Sequence, residues 1–260
     1  MSSILSRSLV CVAVSAGIFG AVASDAATLT LRQGLAGYAG TRDDAAKSNT
    51  AFSYDNRDDG LYAYSTIAGP NLGTVVGFDI SGLPSGATIN SATLSMTFAA
   101  GSQFGNGTSQ TWVVKNPTAQ WIEGQVSYYF AQNTGSGVKW NSSDDPYGAG
   151  GTGITMANQP TVIDTASSTQ GVTNLPGTSL SFNVTSLVSG WYDNTLQNRG
   201  VAILNTAGAN NGNIYWAGKA NATDTWRPTL VIDYTAVPEP AGLAVLGLGA
   251  AAMLRRRRKA

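Results

Sequence analysis

Between Ile89 and Phe98 the chain alternates without a break, setting Ala92, Leu94, Met96 and Phe98 against Ser91, Thr93, Ser95 and Thr97. A period of two marks a strand with one face on a core and the other in water. The same period predicts strands over residues 28–32, 61–66 and 74–80, the last with Val76, Phe78 and Ile80 on one face, and over 111–115, 201–205, 213–217 and 229–234. Residues 161–164 and 179–184 carry it more weakly. Gly82-Leu83-Pro84-Ser85-Gly86, Asn106-Gly107 and Asn211-Gly212 are turn signals between these runs. Residues 34–59, punctuated by Gly, Asn and Asp, read as loop, and residues 132–153 as a long irregular stretch. One segment has helical spacing: Leu187, Val188 and Trp191 fall on one face, and Thr185 or Ser186 can cap its start.

About ten short strands, one short helix and no repeat of twenty to fifty residues predict an all-β fold, a two-sheet antiparallel sandwich of jelly-roll type. Composition agrees, being rich in Gly, Ser, Thr, Asn and Tyr with 12% charged residues. Residues 1–23 lie outside that domain. A lone Arg7, an apolar run from Leu9 and the small-x-small site Ala21-Val22-Ala23 read as a signal peptide and its helix. Cys11, the one cysteine, lies within it, so residues 24–236 have no thiol and no disulfide.

Residues 237–260 are built differently again. Val237-Pro238-Glu239-Pro240 is rigid and extended, residues 241–254 are uncharged, and Arg255, Arg256, Arg257, Arg258 and Lys259 follow. Fourteen residues can only just span a bilayer core of about 30 Å as a helix, with snorkelling arginines helping. The cations are expected to stay cytoplasmic and leave the rest outside. This order closely resembles the PEP-CTERM sorting signal of exopolysaccharide-producing Gram-negative bacteria. The resemblance implies transient inner-membrane anchoring, then processing near Pro238-Glu239-Pro240 by a membrane-embedded exosortase and delivery to the cell surface or matrix. An ordinary C-terminal tail anchor is the alternative.

The chain holds fifteen basic and fifteen acidic residues; setting aside Arg7, the tail cations and Glu239 leaves nine and fourteen, a net charge of −5 on the domain. That argues against nucleic acid as a partner. The absence of histidine removes Ser-His-Asp and Cys-His catalysis and the usual zinc sites. Glycoside hydrolysis needs two placed carboxylates; Glu123 is the domain's one glutamate, which leaves pairs involving aspartates open. It reads as a turn-orienting residue more readily than as a catalyst, and a lyase site on Tyr128 or Tyr129 is equally thin. Asp55, Asp58 and Asp59 before Gly60 look like the start of a Ca²⁺ loop, but Arg57 sits at a ligand position and Thr66 at the twelfth place. A solvated acidic turn is the preferred reading, so no cofactor is expected, with Ca²⁺ as the candidate exception.

Sugars stack their C–H faces on aromatic rings, which makes Trp140 and Tyr147 in a polar Gly-rich stretch, and Tyr62 and Tyr64, candidate carbohydrate contacts. Trp112, Trp121, Trp191 and Trp226 read as core, whereas Tyr215 and Trp216 belong to a set of which some must face solvent.

A second resemblance runs through residues 29–235. Its pieces are Leu31-Arg32-Gln33-Gly34, Gly37-Tyr38-Ala39-Gly40-Thr41-Arg42-Asp43, Phe78-Asp79-Ile80-Ser81-Gly82-Leu83-Pro84 running into Thr88-Ile89-Asn90-Ser91-Ala92-Thr93-Leu94, and Trp121-Ile122-Glu123. Residues 184–191, Asn198-Arg199-Gly200-Val201 and 227–234 complete it. In that order they resemble DNRLRE-domain proteins, exported β-sandwiches similar to carbohydrate-binding modules. The family's Asn-Tyr-Gly run after its opening Asp is not recognisable, and residues 132–175 match poorly. The resemblance implies a β-sandwich that binds, or is embedded in, extracellular polysaccharide without catalysis. A structural matrix protein with no specific ligand, or a polysaccharide lyase or hydrolase, are the alternatives.

Overall fold

The computed structural model describes residues 26–46, 54–55, 61–62, 73–100, 102, 109–117, 119–126, 130–132, 138–139, 162–169, 176–205 and 215–236. The predicted leader helix, the sorting segment and both Asn-Gly turns lie outside them. The strands are β1 (Ala26–Arg32), β2 (Thr41–Ala46), β3 (Tyr54–Asp55), β4 (Leu61–Tyr62), β5 (Gly73–Phe78), β6 (Thr88–Thr97) and β7 (Ser109–Lys115). β8 (Phe130–Gln132), β9 (Val138–Lys139), β10 (Val162–Thr169), β11 (Ser179–Asn183), β12 (Val201–Asn205), β13 (Tyr215–Trp216) and β14 (Thr229–Thr235) follow, with helix α1 (Thr185–Tyr192) between β11 and β12.

These form a sandwich of two antiparallel sheets. One has the order β1-β14-β6-β11 and the other β10-β7-β12-β5-β2-β3; β13-β4 and β8-β9 form two further pairs, with Trp216 of β13 bridged to Phe98 just beyond β6. The chain crosses repeatedly between the sheets, which puts sequence neighbours such as β5 and β6 in opposite layers.

The alternation read from the sequence decides what each sheet buries. Ala92, Leu94 and Met96 of β6, Leu230 and Ile232 of β14, Leu31 of β1 and Phe182 of β11 face Val76, Phe78, Val114 and Ile203 of the other sheet. Helix α1 adds Leu187, Val188 and Trp191 to this core. Phe98 stacks on Trp216 with ring centroids 4.3 Å apart, and Trp112 meets Trp216 edge-on at 4.9 Å. Trp216 is fully buried. Its place among residues expected partly to face solvent is therefore corrected: the two-residue strand β13 pairs it with Leu61 and drives the indole inward.

Three other expectations change. Residues 34–59 are not all loop, because β2 lies inside the six-stranded sheet, paired along β5 from Thr41↔Phe78 to Ala45↔Thr74. Its Thr-Arg-Asp-Asp-Ala-Ala sequence hides this: Asp43 and Asp44 are buried polar residues, and their partners come from distant segments. Second, the irregular stretch after Gln132 contains β9, paired with β8. Third, neither Thr185 nor Ser186 caps α1. Val184 occupies the cap position without a side-chain hydrogen bond, and the Thr185 hydroxyl instead accepts the Ala92 N–H at 2.9 Å, tying helix to sheet.

All six residues of β5 are buried, so this strand has no solvent face. On the side away from the main core, Val75, Val113, Ala202 and Leu204 pack against Trp121, Val126 and Ala131. The segment around residues 119–132 thus covers the outside of the six-stranded sheet with a second, smaller core.

Gly200 shows how closely these layers approach. Its φ is +75°, and a Cβ there would stand 2.2 Å from the Val76 carbonyl oxygen. Replacing Gly200 with Ala is expected to destabilise the domain by about 3 kcal/mol, combining left-handed strain with a backbone clash that cannot relax by side-chain rotation. Urea unfolding of both proteins measures it, and a loss below about 1 kcal/mol contradicts the packing described.

Candidate functional site

The polar residues of β2 gather partners from four parts of the chain. Every second backbone N–H along the strand meets a side-chain oxygen: Thr41 donates to Gln33 Oε1 at 3.3 Å, Asp43 to Glu123 Oε1 at 2.9 Å and Ala45 to Asp44 Oδ1 at 2.8 Å. Among the described residues β3 pairs with Ala45 and Ala46, and side chains serve the rest of the strand. Glu123 Oε2 is 2.5 Å from Lys219 Nζ, and the Lys219 N–H donates to Asp43 Oδ2.

Beside this ladder, the Arg42 guanidinium lies 4.5 Å from the centroid of the Trp121 ring and donates to the carbonyls of Trp121 (3.5 Å) and Asn198 (3.4 Å). Burial lowers its pKa, and the Glu123 charge opposes that shift. The indole N–H of Trp121 donates to the Arg199 carbonyl at 2.7 Å, and Asn198 Nδ2 to the Phe78 carbonyl at 2.9 Å. A second polar knot sits at the end of β1. Arg227 donates to the Gln33 carbonyl at 3.0 Å and the Asn221 carbonyl at 2.8 Å, and pairs with Asp224 at 2.6 Å.

Asp44 is the most enclosed carboxyl, 1% exposed. Besides Ala45, its oxygens accept the N–H groups of Gly124 at 2.7 Å and Val126 at 3.2 Å. Burial pushes its pKa up to about 7 against the downward pull of these three N–H groups, and the Glu123 charge adds to the rise. Glu123 Oε1 and Asp44 Oδ2 therefore hold segment 119–126 to β2, while Glu123 Oε2 is taken by Lys219 and Asp44 Oδ1 by the Ala45 N–H of its own strand. Such an arrangement fixes a covering segment. Glu123, for which the sequence suggested a turn-orienting role, bonds the Asp43 N–H of β2 and Lys219. Asp43, Asp44 and Lys219 were not singled out there, and the available signal was an Asp-Asp pair next to an arginine with no turn residue between.

Open surface lies elsewhere. A groove of about 580 Å³ runs beside edge strand β1, lined by Leu29, Leu31, Leu35, Tyr38, Asp79 and Ser81 among others. Tyr38 is its aromatic residue, and its hydroxyl oxygen accepts the Asp79 N–H at 3.0 Å. The outer face of the four-stranded sheet is hydroxyl-rich. Its rungs are Thr28-Asp233-Ser91, Thr30-Val231-Thr93-Asn183 and Arg32-Thr229-Ser95-Ser181, with Thr97 opposite Ser179. Many of these side chains bond sideways: Thr28 and Ser91 donate to Asp233 at 2.7 and 2.9 Å, and the Thr97 and Ser179 hydroxyls are 2.8 Å apart.

Of the residues singled out from the sequence, Tyr62 pairs with Tyr215 in β4 and Asp55 with Ala45 in β3. Tyr64, Trp140, Tyr147, Asp58, Asp59 and the sorting residues Val237, Pro238, Glu239 and Pro240 lie outside the described residues. Among the described residues no group of three or more acidic, His or Cys side chains is placed to hold a metal ion. No helix among them is long and apolar enough to cross a membrane.

The Asp44 environment fixes a pH dependence. Its folded pKa, near 7, exceeds the ordinary carboxyl value of 3.8, so the folded state binds the proton more tightly than the unfolded chain. That contribution to stability is complete below the ordinary value and lost as pH rises through about 7. Denaturation midpoints are expected to fall between pH 4 and pH 7 and then level off, and Asp44→Asn is expected to flatten this slope. A slope unchanged in the variant assigns it to other groups.

Comparison with known proteins places one segment. No curated protein shows a significant match to the chain. Residues 236–259 match the PEP-CTERM protein-sorting motif. The chain is thus a β-sandwich followed by a sorting signal, and that signal indicates exosortase-dependent export and sorting to the bacterial cell surface.

Proposed function

We propose that residues 24–236 form an exported, non-catalytic β-sandwich domain that binds, or is embedded in, the exopolysaccharide of the cell surface or matrix. Residues 1–23 act as its signal peptide. Residues 237–260 act as a removable address that anchors the chain transiently in the inner membrane of a Gram-negative cell. The observation that carries this reading is the sorting motif at residues 236–259.

Several of the stretches that carry the resemblance to DNRLRE proteins are brought together in the fold. Three separate stretches, 41–43, 121–123 and 198–200, meet around Arg42 and Trp121. Two more, 31–34 and 227–234, meet through Arg227 and Gln33. These contacts hold the fold and leave ligand choice to the surface.

A second reading, a structural matrix protein without a specific ligand, is favoured by the laterally bonded hydroxyl face of the β1-β14-β6-β11 sheet. Binding of the processed protein to a polysaccharide panel, including polymer from its own producing cell, separates the two. Retention on that polymer is expected, unchanged by chelator and with no release of reducing or unsaturated ends. Absence of retention leaves the structural reading, release of ends indicates a lyase or hydrolase, and loss on chelation restores a Ca²⁺ role to Asp55, Asp58 and Asp59.

A further inference from the structure

The groove beside β1 is held in shape before any ligand arrives. The Gly34 N–H donates to the Tyr38 carbonyl at 2.8 Å and the Tyr38 N–H to the Leu35 carbonyl at 2.9 Å, so residues 34–38 close on themselves. Gly34, Ala36 and Gly37 stand at φ of 86°, 49° and 82°, and for Ala36 that left-handed backbone is strained. Leu35, inside this turn and on the groove wall, stays 36% exposed. The Tyr38 ring lies against bare backbone at Gly40, where a Cβ would stand 3.0 Å from the ring and 2.6 Å from the Asp79 Cβ. With the Asp79 N–H on its hydroxyl oxygen, the ring is fixed beside that aspartate.

The volume of about 580 Å³ is that of a small-ligand site. Leu29, Leu35 and the half-buried Tyr38 give it apolar surface, and Thr30, Ser81 and Asp79 give it polar groups. Asp79 is exposed and is the one charged residue of the lining. Its Oδ1 accepts the Ser81 N–H at 2.9 Å, which orients the carboxylate, and among the described residues Oδ2 accepts no hydrogen bond. An ionised carboxylate only accepts, so its natural counterpart is a hydroxyl or N–H donor. A sugar ring offers both matching surfaces, a C–H face for Leu35 and Tyr38 and hydroxyl donors for Asp79. An acidic polymer would set its charges against Asp79 and against a domain of net charge −5, with no Lys or Arg in the lining to meet them.

We propose that this groove is a polysaccharide-binding site that selects a neutral polymer: Asp79 takes sugar hydroxyls while Leu35 and Tyr38 pack against the C–H face. The rigid turn spends little ordering entropy when the polymer docks. Hydrogen bonding and apolar contact hold the polymer, so retention does not depend on salt as attraction between opposite charges would. This rests on the polysaccharide-binding reading of the domain, and the test keeps the two apart.

The experiment is affinity electrophoresis of the processed protein, at low and high salt, through gels holding galactomannan or mixed-linkage glucan (neutral), alginate (acidic) or the producing cell's own polymer. Retention by a neutral polymer at both salt levels is expected, with none by alginate. Asp79→Asn keeps an acceptor for the Ser81 N–H and so keeps the turn, but is expected to weaken binding about tenfold by losing the charged acceptor. Leu35→Ser is expected to weaken it severalfold. Asp193→Asn removes one exposed charge beyond α1 and is expected to change nothing. Thermal melting of each variant checks that the fold is kept. If Asp79→Asn binds like the wild type, or Asp193→Asn weakens binding equally, the groove is not the site, although polysaccharide binding stands. Retention by alginate as strong as by the neutral polymers overturns the selectivity. Where the cell's own polymer alone is retained, a high uronic acid content overturns it too, and a low content supports it. If Leu35→Ser leaves retention intact but abolishes self-association, the groove is a protein interface and the proposal fails. If no polymer retains the wild type, the polysaccharide reading itself fails and the groove site with it.

Discussion

The fold depends on keeping a polar strand dry. β2 carries Asp43 and Asp44 into a sheet whose next strand, β5, is buried along its whole length. A buried carboxyl without donors is expensive, and an unpaired strand edge is a site for unwanted pairing. Both problems are met by one segment: Gly124 and Val126 present N–H groups to Asp44, and Glu123 accepts the edge N–H of Asp43. Trp121 and Val126 fill the surface above Val75 and Val113 at the same time. Polar satisfaction and apolar cover are thus supplied by a single covering strap.

Arg42 locks the strap sideways. Its guanidinium stacks on Trp121 and reaches the Asn198 carbonyl, joining the strap to the chain that leads into β12. Gly77 leaves room for this, since a Cβ there would meet the Arg42 side chain at 2.5 Å. A lysine in place of Arg42 would lose the planar stack and the forked donors. The cluster has the dense, mutually satisfied wiring of a fold-holding network, with its carboxylates directed at backbone groups.

What the sequence revealed follows from where each element sits. β6 and β14 have one wet face, so Ser91, Thr93 and Ser95 alternate visibly with Ala92, Leu94 and Met96. β2 has no such contrast, because its buried positions are partly acidic and the partners that neutralise them lie about eighty to 176 residues away. Trp216 was ambiguous for a related reason: two paired residues are too few to show a period, and only contact with Phe98 and Trp112 fixes its side. Glu123 stood out in the sequence as the domain's one glutamate, beside a tryptophan. Its actual partners, Lys219 and the Asp43 N–H, required the fold.

The two sheets divide the labour of a surface protein. The six-stranded sheet is covered inside and out around β5, which leaves it little free face there for a ligand. The four-stranded sheet keeps an outer face of Ser, Thr and Asn side chains, carries the groove beside β1 at its edge, and receives the last residue before the sorting signal. Asp233 ties Thr28 and Ser91 across β1, β14 and β6, and the interior position of β14 adds to the order of this end of the sheet.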